Sequence, residues 1–207
     1  SAYPLNDKQE IGMKLYGKLS LALSIAFASG AIAANPNATE GKHFDPNGTM
    51  PSKYTLELRN GLLASLPFED KRDFEEAQKG FIAAPDYMQI MADAGNVAWD
   101  MGSYQWLLQG KDFASINPSL QRQAILNMAY GLYEVVPGKV YQVRGYDLAN
   151  ISFIKGDTGW IVIDPLTAKE TARAALEFIN QKLGKRPVLG VVYSHSHVDH
   201  FGGVRGV

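Results

Sequence analysis

The sequence predicts an α+β fold in which a helical segment, residues 53–136, leads into a strand-rich segment, residues 137–207. Three observations carry that expectation. Apolar residues recur at helical spacing in several stretches between Leu58 and Leu132. Pro137-Gly138 then changes the pattern to short β-branched runs separated by glycine-containing turns. Those runs follow in the order β-β-β-α-β and end at a loop that holds three of the four histidines.

Taken in order, residues 1–12 lie upstream of Met13, the expected initiator, are expected to come from upstream reading frame or added sequence, and are set aside for function. Residues 13–33 read as a secretory signal peptide. Met13 to Lys18 is weakly basic, residues 19–27 are mostly apolar, and Ala31-Ile32-Ala33 is a small-residue cleavage site. The apolar run falls short of the roughly 20 residues that span a bilayer, so the expected destination is periplasmic or secreted, with no stable membrane span. Residues 34–52, rich in Asn, Pro, Gly and Thr, read as a linker or arm. His43 stands there alone and reads as a solvated surface residue.

Leu58, Leu62, Leu63 and Leu66 predict a helix over residues 54–66 that Pro67 ends. Residues 68–80 repeat the theme with a charged face of Asp70, Lys71, Arg72, Asp73, Glu75, Glu76 and Lys79, read as solvated surface. Trp99, Tyr104 and Trp106 make residues 97–108 aromatic-dense. The reading preferred is a helical cap packed on the core, over a lining for an alkyl channel. Ser119, after Pro118, is expected to cap a helix that runs to about residue 132 through Leu120, Ile125, Met128 and Leu132.

Strands are expected over residues 140–144, 150–155 and 160–163, with Gly156-Asp157-Thr158-Gly159 as a hairpin connection. Thr167 and Glu170 match a capping box. Ala172, Ala175, Leu176, Ile179 and Leu183 then form one helical face before Gly184. Residues 187–193 read as a buried strand. This order is what one half of a layered αββα domain would show.

The chemistry concentrates in Ser194-His195-Ser196-His197-Val198-Asp199-His200, followed by Phe201-Gly202-Gly203. Neutral imidazoles and a carboxylate oxygen form the donor set that zinc accepts at about 2.0–2.2 Å. Extended pairing continued past residue 193 would put His195 and His197 on one face, able to grip one ion. Asp199 and His200 would leave the following turn in different directions, toward a second ion ~3.5–4 Å away. The competing reading is a solvated polar loop with incidental histidines.

Composition limits the alternatives. Of the 207 residues 46% are hydrophobic and 20% charged, with a net charge of −1. There is no electrostatic reason to expect a nucleic acid partner or an anionic membrane. Cysteine is absent, which removes disulfides, thiolate ligands and a cysteine nucleophile from this stretch.

The histidine run resembles the H-x-H-x-D-H signature of the metallo-β-lactamase superfamily, whose αββα sandwich carries a dinuclear metal site. A longer text narrows the likeness. Asn117-Pro118-Ser119-Leu120, the stretch Gly138 to Asn150, the stretch Gly156 to Thr167, and Gly202-Gly203-Val204-Arg205-Gly206-Val207 together resemble the zinc-dependent alkylsulfatases that hydrolyse surfactants such as dodecyl sulfate. The likeness runs from about residue 54 to the end.

What the resemblance implies is two Zn2+ ions, one held by His195 and His197 and the other by Asp199 and His200, with Asp199 also assigned to catalysis. Asp164, at the end of a strand, corresponds to an acidic residue beside the metal loop that fixes a ligand histidine; a turn carboxylate near Thr167 is the competing role. The ions would lower the pKa of a shared water toward ~7. An alkyl sulfate would then yield alcohol and sulfate, by attack at carbon or at sulfur. No His, Asp or Glu follows His200, so the remaining ligands and the sulfate-binding residues are expected beyond Val207. The family's helical dimerisation domain and C-terminal domain are expected there too, with a homodimer as the full-length form. On that expectation the chain is the N-terminal fragment of a hydrolase and inactive alone. Another hydrolase of the superfamily, acting on a lactam, lactone or thioester, and a noncatalytic metal-binding fragment both stay open.

Overall fold

The structure, a computed structural model, describes residues 51–110 and 112–207, together with the backbone of two short strands, β1 (Phe44–Asp45) and β2 (Gly48–Thr49). The expected upstream residues, the signal peptide and His43 lie outside the described residues. Strands β1 and β2 pair antiparallel inside the stretch expected to be a linker. No described helix is long and apolar enough to cross a membrane.

From residue 51 the chain begins with helix α1 (Lys53–Ser65). Ser52 opens it by accepting the Thr55 amide at 3.2 Å, which satisfies one of the donors a helix start leaves unpaired. After Pro67 a short helix α2 (Arg72–Gln78) follows. The remainder of the expected helical segment departs from its sequence pattern. It contains strands β3 (Phe81–Ala83), β4 (Gln89–Met91), β5 (Val97–Asp100) and β6 (Gly131–Val136).

Each departure has a local cause. The aromatic-dense stretch divides into strand β5 and a 3-10 helix, Gly102–Gln109. The Ala92 amide donates to Asn96 O at 2.8 Å, and Gly95, at φ +88°, lets the chain reverse and pair β5 with β4. Helix α3 (Pro118–Asn127) is capped by Asn117 rather than Ser119. Asn117 Oδ1 accepts the Ser119 amide at 2.9 Å, and Pro118 occupies the first turn, where its missing N–H costs nothing. The helix stops at Asn127 instead of about residue 132. Leu132 and Tyr133 are fully buried, but as residues of strand β6. The expected division after residue 136 therefore falls inside a hairpin.

That hairpin joins β6 to β7 (Val140–Arg144), followed by β8 (Ile151–Lys155), β9 (Trp160–Ile163), helix α4 (Lys169–Leu183) and β10 (Val188–Val192). The sheet order is β10-β9-β8-β7-β6-β3. Neighbours are antiparallel except β9 and β10, which run parallel because α4 crosses over between them. The expected hairpin at residues 156–159 forms, with the Gly156 amide on Gly159 O at 2.9 Å.

Helix α4 lays Ala172, Ala175 and Ile179 into the core at 0% exposure. Burial of an aliphatic side chain the size of Ile179 contributes about 1.5–3 kcal/mol. Trp160 anchors the layer beneath, edge-on to Tyr141 and Phe153 with centroids 6.0 and 5.9 Å apart. Its buried indole N–H donates to Asn180 Oδ1 on α4 at 2.9 Å, tying helix to sheet. Strand β10 was expected to be buried, yet Leu189 is 59% exposed and Val192 51%. It is an edge strand, paired among the described residues with β9 only.

Candidate metal centre

The centre is assembled where the parallel strands β9 and β10 end side by side. The Asp164 amide donates to Val192 O at 3.0 Å, so the residue after β9 is held against the end of β10. Asp164 and Leu166 both adopt left-handed backbone conformations, at φ 56° and 62°, on either side of Pro165. For a non-glycine residue this costs about 1–2 kcal/mol, and its effect here is to aim the Asp164 carboxylate back across the strand ends.

That carboxylate gathers the histidine loop. Its Oδ1 accepts the Ser194 amide at 2.7 Å. Its Oδ2 accepts the Ser194 hydroxyl at 2.6 Å and lies 2.9 Å from His200 Nδ1. An ionised carboxylate only accepts, so this contact requires a proton on His200 Nδ1, and a neutral ring then carries its lone pair on Nε2. The same bookkeeping fixes His195. Ser194 Oγ has one proton, already given to Asp164, so it accepts from His195 Nδ1 at 2.9 Å and frees His195 Nε2. Burial pushes the Asp164 carboxyl up, but the Ser194 and His200 hydrogen bonds outweigh it and hold the group below its ordinary value.

The sequence-predicted residues come together by a different geometry from the one expected. Strand pairing ends at Val192, so alternation along an extended chain is not what groups His195 with His197. A run of bends brings the rings together. The centroid of His195 lies 4.6 Å from His197 and 4.0 Å from His200. Asp199 and His200, expected to diverge, sit in a 3-10 turn (Val198–His200) with His200 Nε2 only 3.3 Å from Asp199 Oδ2.

That separation tests the fit of a metal. Two donors at about 2.0–2.2 Å from a tetrahedral ion stand ~3.3–3.6 Å apart. Asp199 and His200 meet this condition. Among the described residues no group of three or more His, Asp or Glu side chains is arranged to hold an ion, so the donors present make a partial set.

The loop after His200 is pressed onto the segment between β9 and α4. The Gly203 amide donates to Leu166 O at 2.8 Å, and a Cβ on Gly203 would fall 2.2 Å from Pro165 O and 2.6 Å from Ala168 O. Only glycine allows that approach. The capping box expected from Thr167 is displaced by one residue. Ala168 precedes the helix and has no side-chain acceptor, while Thr171 Oγ1 accepts its amide at 3.3 Å. Thr167 is engaged elsewhere, by the buried carboxylate of Asp147.

Two residues of this assembly escaped sequence reasoning. Ser194 stood inside the motif, but a serine beside histidines does not announce which carboxylate it will bind. Asp147 pairs with residues 20 and 24 positions away, which no local pattern reveals. Of the aromatic residues, Trp99 and Trp106 make packing contacts, while Tyr104 is 51% exposed. Trp99 Nε1 donates to Gly145 O at 2.8 Å, and Trp106 meets Phe113 edge-on at 5.0 Å. Trp99 also borders a cavity of about 470 Å³ with Arg144 and Leu148, lined by none of the candidate metal ligands.

Residues 144–207 match the metallo-beta-lactamase superfamily. Over 161 residues the chain is 54% identical to an (R)-specific secondary-alkylsulfatase of Pseudomonas sp, a match covering 77% of this chain and 24% of that protein. It is 46% identical over 154 residues to a linear primary-alkylsulfatase of Pseudomonas sp, covering 74% and 23%. The solved structure of the stereoselective inverting sec-alkylsulfatase Pisa1 from Pseudomonas sp superposes with a TM-score of 0.71 at 52% identity, over 75% of this chain and 24% of that one. The chain thus spans about a quarter of the length of these relatives.

Proposed function

Because the chain belongs to the metallo-β-lactamase superfamily, we propose that it serves a metal-dependent hydrolase that cleaves alkyl sulfate esters to an alcohol and inorganic sulfate. The observation that carries the substrate is the 54% identity with a secondary-alkylsulfatase. Metal dependence draws its support from the donors themselves, with His200 Nε2 freed by Asp164 and standing 3.3 Å from Asp199 Oδ2.

In this reading His195 and His197 hold one Zn2+ ion, and Asp199 and His200 hold a second. When bound, such ions supply charge compensation for an anionic ester and activation of water at neutral pH. The chain's own residues organise that chemistry. Asp164 keeps the His200 proton on Nδ1, Ser194 does the same for His195, and the glycine-floored loop holds both rings against the strand ends. Asp199 adds the one anionic donor, which would offset part of the charge of the ions, and is the residue assigned to catalysis. Export through residues 13–33 and a homodimeric full-length protein belong to the same proposal.

The test is sulfate release from dodecyl sulfate and from a secondary alkyl sulfate by the full-length protein, beside turnover of nitrocefin and a simple lactone. The proposal expects sulfate release alone. Turnover of the lactam or lactone without sulfate release assigns the site to another branch of the superfamily.

A further inference from the structure

The Asp147 carboxylate is buried, 7% exposed, and lies outside the donor set described above. Four hydrogen bonds converge on it. Oδ1 accepts from the Leu148 amide at 2.7 Å and the Thr167 hydroxyl at 2.7 Å. Oδ2 accepts from the Thr167 amide at 3.0 Å and the Thr171 hydroxyl at 2.6 Å. Both oxygens are thus saturated by donors, two of them from Thr167 alone.

What these bonds hold is the segment on which the histidine loop rests. Thr167 follows Asp164 and Leu166, the two residues in left-handed backbone conformations, and a turn of that kind persists only when its surroundings over-determine it. On one side Asp147 clamps Thr167. On the other, Leu166 O accepts the Gly203 amide, while Pro165 O, Thr167 O and Ala168 O lie against Gly202 and Gly203 with no room for a side chain. The aim of Asp164 at His200 therefore depends on a turn that Asp147 pins from beneath.

We propose that Asp147 is a positioning residue for the metal loop, acting through Thr167 on the turn that carries Asp164 and on the seat of Gly203. The assignment rests on the metal site proposed above, but its first test does not require a metal. In Asp147→Asn, either orientation of the amide turns its NH2 toward a backbone N–H, that of Leu148 or that of Thr167, and neither can rotate away. Thr167→Val removes one hydroxyl donor, and Thr167→Ser restores it.

The experiment compares the full-length protein and its variants by hydrogen-exchange mass spectrometry of the segment holding Gly203, without metal, and then by Co2+ titration read from the d–d absorption bands. Expected for Asp147→Asn are at least 10-fold faster exchange at Gly203, about 10-fold or greater loss of Co2+ affinity, and an altered band pattern. Thr167→Val should lie between and Thr167→Ser at wild type. Asp93→Asn, which removes surface ion pairs to Lys169 and Arg173 on the same helix, is the control expected to leave Gly203 exchange and the Co2+ spectrum unchanged. Wild-type exchange at Gly203 in a folded Asp147→Asn overturns the assignment, as does an equal effect in Asp93→Asn. If the wild-type protein binds no Co2+, the metal reading falls, while the exchange comparison still decides the role of Asp147.

Discussion

Asp164 Oδ2 stands 2.9 Å from His200 Nδ1, and this contact fixes which imidazole nitrogen is left to bind an ion. Strand β9 delivers the carboxylate, a left-handed turn directs it, and the loop after β10 brings the ring to meet it.

Asp164→Asn tests that relationship with little change of backbone, because asparagine tolerates the left-handed region well. The amide cannot accept from His200 and Ser194 as the carboxylate does. Metal affinity is expected to fall about 10–100-fold, measured by chelator competition, with the far-ultraviolet circular dichroism unchanged.

Gly203→Ala places a methyl group 2.2 Å from Pro165 O, a backbone atom that cannot swing aside. Overpacking of this kind costs about 1–3 kcal/mol. Chemical denaturation should show that loss of stability, and metal affinity should fall with it because the loop loses its seat.

Trp160→Phe keeps most of the buried ring but leaves Asn180 Oδ1 without the indole donor. An expected loss of about 1–3 kcal/mol, read from the urea midpoint, follows from the lost packing and from one lost hydrogen bond, since Asn180 Oδ1 still accepts the Arg186 amide at 3.1 Å. Tyr141 and Phe153, its edge-on neighbours, should show the change in near-ultraviolet circular dichroism.

Hydrogen bonds from Arg173 and Lys169 draw the Asp93 carboxyl down from 3.8 to about 2. A depressed carboxylate contributes stability that is fully present above its unfolded value and is lost as pH falls toward the folded one. Between pH 4 and about 2 the thermal midpoint of the wild type should therefore fall more steeply than that of Asp93→Asn. Parallel curves for the two proteins would contradict the ion pairing. The network is solvent-exposed, so added salt should shrink the difference.

Where periodicity met local packing the sequence was easy to read. Strands 140–144 and 160–163 appear within the expected bounds, as does the Ala172, Ala175, Ile179 face of α4, because alternation and helical spacing directly encode which side is buried. Leu132 misled for the same reason. It fits the spacing of the preceding helix, but that helix ends at Asn127 and Leu132 pairs with Val143 in the sheet. The short strands β3 to β5 carry too few residues to set up a period. At the site the histidines announced themselves by spacing, but the tautomers did not, since they depend on Ser194 and Asp164 meeting across 30 residues.

The most direct measurement is sulfate release from dodecyl sulfate by the full-length protein before and after removal of its divalent metal with a chelator. The account predicts that release is lost with the metal and returns on adding Zn2+, and that a protein carrying His200→Ala is not restored. Undiminished release by metal-free protein would contradict it.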